Sequence, residues 1–559
     1  MTYDLRTEPW IPWRRRRSGV VWGPIAMLVD RLDGDDPVIA IASPRPDFDG
    51  ALQEFLIGLL SVALKAKDEE EWRERWDQPP TVAELQAALD ALPPAFSLDA
   101  AEGPRFLQDF SAMDLASQEV LAIDRLAIDS PGEQTAKDNK TLFVKPARFE
   151  QLSRPVAAMV LVTMQTYAPA GGQGNRTSMR GGGPLTTIAD PRQSVDGVHA
   201  DEQPLWQKLW ISAETIEAWC ARSPNGGPPT NENIYPWLAP TRVSDSKKPP
   251  VTPARVHAMQ SYFGMPRRIR LEFGAAGRCG LTGRPDEHVV TGFRMRNFGV
   301  EYSGWRHPLS PHYAKHDEWL PVHPQPGGLA WRDWPDLTVA GAREAREPAA
   351  AIVSATRRAR SLDLPELRLH AFGYDMDNMK ARAWVSAVQP LLVLNLDNAE
   401  KRQWLALLST KLVDATRTAA AALSFAINSA LFDRSEDAGG DPVVPKQRLW
   451  AGTEASFYEA LRSSIAAGLS LESVTDARRA FLSPLRTITL ALFDEAASMD
   501  RAPVTAIRRN VSARYSLSGT FRGVGKLGQQ LFESLNHATP TADSARKPKR
   551  AIAKKGAAT

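Results

Sequence analysis

Residues 398–432 read NAEKRQWLALLSTKLVDATRTAAAALSFAINSALF. The stretch holds neither proline nor glycine, and its apolar residues recur at spacings of three and four, so it reads as one long helix. Four further segments read as helices on the same apolar spacing: NMKARAWVSAVQPLLV (378–393), TEASFYEALRSSIAAG (453–468), DARRAFLSPLRTITLALFDEAAS (476–498) and GKLGQQLFESLNHA (525–538). Pro484 is expected to kink or break the segment that contains it. Several long antiparallel helices joined by loops predict a C-terminal α-helical bundle of the four-helix type.

Working outward from the bundle, the pattern before residue 377 is mixed. FDGALQEFLIGLLSVALKAKDEEEWRERWD (48–77) reads as one amphipathic helix with Asp49 as N-cap, and TVAELQAALDAL (81–92) as a second. RPVAAMVLVTMQTYA (154–168) is an apolar helix with Pro155 in its first turn. Between 267 and 306 the period changes to two, in RRIRLEF and HVVTGFRMRNFGVEYSGW, with CGLTGRPDE as a turn between them. In the second strand Arg294 and Arg296 share one face, and Phe293 and Met295 the other. The expected fold class is therefore α+β. A large mixed domain with irregular loops and short sheets covers 1–376, a helical bundle 377–540, and a basic disordered tail 541–559.

Composition narrows the function. The chain has 559 residues, 43% hydrophobic and 24% charged, which suits a globular protein of more than one domain. It has no run of eighteen apolar residues and no secretory leader, so no membrane partner is expected. Cys220 and Cys279 are too few for a disulfide framework or a four-cysteine zinc site, and the cytoplasm is the simplest home. The net charge of +3 is small, but residues 251–310 carry nine arginines against four acids. The tail adds six basic residues against Asp543. Basic segments of this kind attract polyanions, although a charge run is often only a solvated face.

The catalytic signatures are poor. His312 and His316 in HYAKHDE have the i, i+4 spacing of zinc ligands on a helix, but the HExxH base is missing, so surface or capping histidines are expected and no metal. No GxSxG elbow and no spaced acidic cluster appear. The conspicuous stretch is APAGGQGNRTSMRGGGPLTT (168–187). It lacks the Lys-Ser/Thr ending of a P-loop and does not follow a strand as GxGxxG should. It can bring bare backbone, through Ala170, Gly171, Gly172, Gly174 and Asn175 with Arg176 and Arg180, against a nucleic-acid backbone or groove. A surface loop that merely needs positive φ angles would look the same. Arg294 and Arg296 form a second basic candidate. HAFGYDMDNMKARAW (370–384), with Asp377 as a possible helix cap, is a third.

These stretches, in this order, resemble the CasA family, the large subunit of the type I-E Cascade complex of CRISPR immunity. The likeness runs through EPWIPW, ALQEFLIGLL, the glycine loop with SMRGGGPLTT, TGFRMRNF followed by WRHPLSP, and FGYDMDNMKA. The resemblance implies a non-enzymatic subunit without cofactor, partnered by the guide RNA and the backbone, guide-end-capping and small subunits. It also implies binding to double-stranded target DNA, inspection of a protospacer-adjacent motif (PAM), opening of the duplex, and recruitment of a helicase-nuclease. By position it places the PAM-contacting glycine loop from Ala170, a basic finger at Arg294, Arg296 and Asn297, and a wedge at Asp377, Asn378, Met379 and Lys380. A docking loop near the guide falls on Phe143, Lys145 and Arg148. Asn297 stands where a relative would place a finger lysine. A scaffold without DNA readout and a nuclease with dispersed acids are the alternative readings.

Overall fold

The computed structural model describes residues 2–111, 115–141, 144, 147–172, 174–223, 230–245, 248–343, 345–377, 380–392, 398–432, 442–498 and 504–538. Contacts divide the chain into two compact units. The first runs to Leu329 and resumes from Ala345 through the described residues up to Leu392. The second takes in the short helix Trp334–Thr338 and the helices from Ala399 onward.

The first unit is built on helix Pro46–Leu64, whose residues are buried on nearly every side, as a helix inside a core must be. Pro46 opens it at N1, and Asp47 and Asp49 lie in its first turn beside the helix's positive end. Arg45 is the N-cap residue; Asp49 instead accepts a hydrogen bond from the Ser43 N–H at 2.9 Å. The helix expected over 48–77 is two helices. Lys65 turns left-handed at φ 48°, and Asp68 starts the second helix, Glu69–Asp77, by accepting from the Glu70 and Glu71 N–H groups. Thr81 and Glu84 form a capping box on helix Val82–Asp90. Helix Arg154–Tyr167 packs against the central helix.

Small antiparallel sheets surround these helices. Strand Arg268–Phe273 pairs with Val290–Arg296, matching the period-two reading, while His312–Lys315 pairs with Glu318–Pro321. The longest strands are Glu366–Asp377 and Lys380–Leu392, paired as one hairpin with a bulge between Asp375 and Met376. Here the structure corrects the helical reading of 378–393: its described residues are the returning strand. An alanine-rich sequence is only a weak helix bias, and twelve cross-strand pairs override it. Strand Thr186–Asp190 covers only Arg368–Phe372 of this hairpin. Residues Gly373–Asp377 and their partners therefore extend as a two-stranded ribbon of about 17 Å. Trp384 anchors its base, 5.0 Å from the Tyr374 ring and 5.4 Å from the Tyr167 ring, and a Cβ on Gly50 would lie 2.8 Å from it.

In the second unit helix Ala399–Leu431 starts at Asn398, whose side chain accepts from the Glu400 and Lys401 N–H groups. This helix packs against Val443–Ala466, Leu471–Ala480, Leu482–Ala496, Val504–Thr520 and Gly525–Ser534. The chain breaks at Phe481, between the two helices that the sequence ran together around Pro484. Trp331 stacks on Phe457 at 4.3 Å and donates its indole N–H to the Trp450 carbonyl at 2.7 Å. The tail from 541 lies outside the described residues. Among the described residues no helix is long and apolar enough to cross a membrane.

Candidate nucleic-acid interface

The glycine loop begins where helix Arg154–Tyr167 ends and returns to its starting point. The Ser178 N–H donates to the Ala168 carbonyl at 3.0 Å, and the Gly183 N–H to the Tyr167 carbonyl at 3.3 Å. Its first half faces outward, with Gly171 and Gly172 exposed and Ala170, Gly174 and Asn175 partly so. Its second half is buried. Arg180 is 4% exposed and pairs with the carboxylate of Glu54, while its other Nη donates to Thr186 Oγ1 at 3.0 Å and Ser310 Oγ at 2.9 Å. Tyr167 and Thr186 donate to the same Glu54. The expectation that Arg180 reaches nucleic acid gives way to this arrangement: its charge is spent on fastening the loop to the central helix.

Strand Val290–Arg296 ends beside the outward half. The Phe298 N–H donates to the Gly174 carbonyl at 2.7 Å, and a Cβ on Gly174 would lie 2.7 Å from Asn297 Cβ. The structure thus joins the predicted loop and finger through bare backbone. Arg296 and Asn297 are exposed. Arg294 is not presented in the same way: it pairs with Glu272 and holds the Ala116 carbonyl at 3.0 Å. Arg176 likewise pairs with Glu301 at 3.2 Å and donates twice to Ser244.

The hairpin meets the other end of the loop. A Cβ on Gly183 would sit 2.6 Å from Tyr374 Cβ, and one on Gly373 only 2.3 Å from the Pro184 carbonyl oxygen, so side chains are excluded from this contact. Asp377 and Lys380 pair at the tip and are both exposed. Asp377 starts no helix, contrary to its expected capping role, because the chain returns as a strand. Asn378 and Met379 of the predicted wedge, and Phe143 and Lys145 of the docking loop, lie outside the described residues.

Arg148 is the docking-loop residue whose side chain is described. Both its Nη atoms reach Asp129 at 3.0 Å, and Asp129 also accepts from Arg45 at 3.0 Å. Arg45 continues to Asp47 at 2.9 Å, and Asp47 accepts from the Tyr374 hydroxyl at 2.7 Å. Burial opposes the charge on Asp129, yet the two guanidinium groups outweigh it and hold its pKa below the usual carboxylate range. An ionic chain therefore runs from the docking-loop position to the base of the hairpin.

Two residues escape sequence reasoning. Phe298 is 36% exposed and sits at φ 62°, a conformation bulky residues rarely adopt. Arg267 lies buried beneath Gly171, where a Cβ would come within 3.3 Å of its Nη atoms. An aromatic in a strand-like run reads as core, and one arginine among nine carries no mark of its own. His312 and His316 are not on a helix but on the hairpin His312–Pro321, His312 at the start of a strand and His316 in its turn at φ 49°. His312 is buried rather than superficial, at 3% exposure. Among the described residues no three His, Cys, Asp or Glu side chains are grouped to hold a metal ion.

The family of CRISPR-associated protein Cse1 matches residues 4–492. Several solved structures are similar in fold. CasA (Cse1) of Thermus thermophilus superimposes with a TM-score of 0.64 at 16% identity, covering 96% of this chain and 99% of that one. Cse1 from Acidimicrobium ferrooxidans gives 0.64 at 17% identity, covering 97% and 99%. A chain of a CRISPR RNA-guided surveillance complex gives 0.65 at 17% identity, covering 92% and 99%. The motifs from the EPWIPW start to FGYDMDNMKA and the family match over most of the chain converge: this protein belongs to the Cse1 (CasA) family of CRISPR-associated proteins.

Proposed function

We propose that this chain is the large subunit of a type I-E Cascade complex that inspects duplex DNA for a PAM and parts the first base pairs. The carrying observation is the Phe298 N–H to Gly174 carbonyl hydrogen bond of 2.7 Å, which sets a bare backbone loop beside an exposed Arg296–Asn297 finger. Minor-groove edges distinguish mainly A·T from G·C, so backbone groups and a few polar side chains suffice for a permissive reading there. The ribbon ending at Asp377 and Lys380 is narrow enough to act as a wedge. Parting one base-pair step costs roughly 1–2 kcal/mol, which binding energy supplies until guide RNA pairs with the target. The role needs no catalytic residue and no cofactor. Its partners are the guide-bearing subunits, target duplex and a recruited helicase-nuclease, in the cytoplasm. The Arg148–Asp129–Arg45–Asp47–Tyr374 chain fits a coupling between docking near the guide and hairpin position.

The test is binding of the reconstituted complex to duplexes with a randomised PAM, with and without residues Asp377–Lys380 replaced by glycine and serine. Selective binding that survives in the wedge variant, with loss of duplex opening, supports both roles. One observation favours a second reading, a scaffold without DNA readout: Arg176, Arg180 and Arg294 are all engaged within the protein. PAM-independent binding and an inert wedge would establish that reading.

A further inference from the structure

Eight arginines are at least nine-tenths buried among the described residues: Arg15, Arg154, Arg180, Arg192, Arg267, Arg268, Arg358 and Arg478. Six of them pair with a carboxylate. Arg478 instead donates to the carbonyls of Glu533 and Ser534 at the end of helix Gly525–Ser534, where the helix dipole is negative. Arg267 has no carboxylate partner among the described residues, and the one acceptor its guanidinium reaches is a carbonyl just past the end of helix Arg154–Tyr167. Its Nη2 donates to the Pro169 carbonyl at 2.5 Å, and its Nε has no partner. Burial alone pushes its pKa down to about 10, so it stays charged at neutral pH. A buried cation without an anion is costly, and a guanidinium cannot shed its proton to relieve it.

The position of this charge suggests what neutralises it. The guanidinium lies directly under Gly171, where a Cβ would come within 3.3 Å of both Nη atoms, and Gly171 and Gly172 are exposed. We propose that Arg267 is the anion-attracting floor of the glycine loop, drawing a backbone phosphate of duplex DNA onto the bare Gly171–Gly172 surface. This deepens the DNA-inspection reading and rests on it. The glycines then serve a second purpose beyond close approach. They keep the layer between phosphate and cation as thin as the backbone itself. The contact is with phosphate, so it carries no base preference.

Arg267→Met, Arg267→Lys and Asn297→Glu are compared in the reconstituted complex, measuring duplex affinity from about 50 to 300 mM salt. Arg267→Met is expected to weaken binding about tenfold for every PAM alike and to flatten the slope of log affinity against log salt by about one. Arg267→Lys restores most of the slope. Thermal stability should hold or rise in Arg267→Met, because an uncompensated buried charge has gone; a merely structural arginine would lower it. Unchanged affinity and slope in Arg267→Met, with Asn297→Glu still weakening binding, overturns the inference but leaves the interface reading intact. If neither variant changes DNA binding, the interface reading itself fails. Loss of guide RNA from the Arg267→Met complex before DNA is added overturns the inference too, assigning the phosphate to RNA.

Discussion

The two halves of the glycine loop share a composition and differ in nearly everything else. Gly171 and Gly172 are exposed and Gly174 and Asn175 partly so; this half leans on Asn297 and Phe298 and covers a buried cation that has no carboxylate partner. Ser178–Leu185 is largely buried, clamped by the Arg180–Glu54 pair and pressed against Tyr374 and Met376 of the hairpin. In the buried half glycine makes room for packing, whereas in the exposed half it leaves the backbone bare. A shared sequence character therefore carries two different physical tasks, and only the surroundings separate them.

Breaking the buried anchor should have the largest effect. Glu54→Gln leaves the Arg180 charge desolvated without its partner, and such losses typically cost about 3–5 kcal/mol. Urea unfolding of the chain measures it, and a loss below about 1 kcal/mol would remove the anchor from the comparison.

The next effect contrasts the halves directly. In Gly183→Ala the new methyl meets Tyr374 and Met376 at 2.6–2.9 Å on a backbone held at φ 62°. About 2–3 kcal/mol of stability should go, combining overpacking with left-handed strain. Gly172→Ala, at φ 83° with nothing within 4 Å, carries strain alone and should cost about 1 kcal/mol. Equal losses in thermal melts of the two variants would erase the distinction between packing glycine and surface glycine.

A smaller effect follows from pH. His312 is buried, and its pKa falls to about 3, first from burial and then from the nearby Arg306 and Arg180 charges. Its folded-state pKa lies below the ordinary value near 6.5, so the unfolded chain binds the proton more readily. Stability from this group is complete above about pH 6.5 and declines as pH falls toward 3. At pH 5 the loss should approach 2 kcal/mol from this residue. Comparing His312→Gln with the unmodified chain at pH 5 and 7 isolates it: the substitution should flatten the pH dependence. An unchanged pH dependence would show that His312 is not protected by the buried half.

Legibility of the fold followed the range of the interactions. Helices Val82–Asp90, Arg154–Tyr167 and Ala399–Leu431 were readable because caps, proline positions and apolar spacing are local. Residues 380–392 were misread because alanine and lysine favour helices locally, while their pairing with Glu366–Asp377 is a tertiary fact. Helices Ala350–Ser361 and Val504–Thr520 escaped the reading altogether. At the candidate site the order of motifs marked the glycine loop and the 294–297 stretch, whereas the hairpin emerged only in the structure, since the sequence reads its second strand as a helix. Which arginines are available did not follow from that order, since Arg176, Arg180 and Arg294 meet acids far away in sequence.

By itself, the sequence determined the family, through an ordered series of motifs, and the helical character of the C-terminal third, through apolar periodicity. It also determined that bare backbone would be presented near residue 171, because glycine has no side chain in any environment. Only the tertiary structure decided which half of the loop is buried, that Phe298 and Gly174 join finger to loop, and that Arg267 lacks a counter-ion. Those outcomes depend on which charges and backbone groups meet after folding. A residue's type states what it can pair with, but only three-dimensional proximity states whether it does.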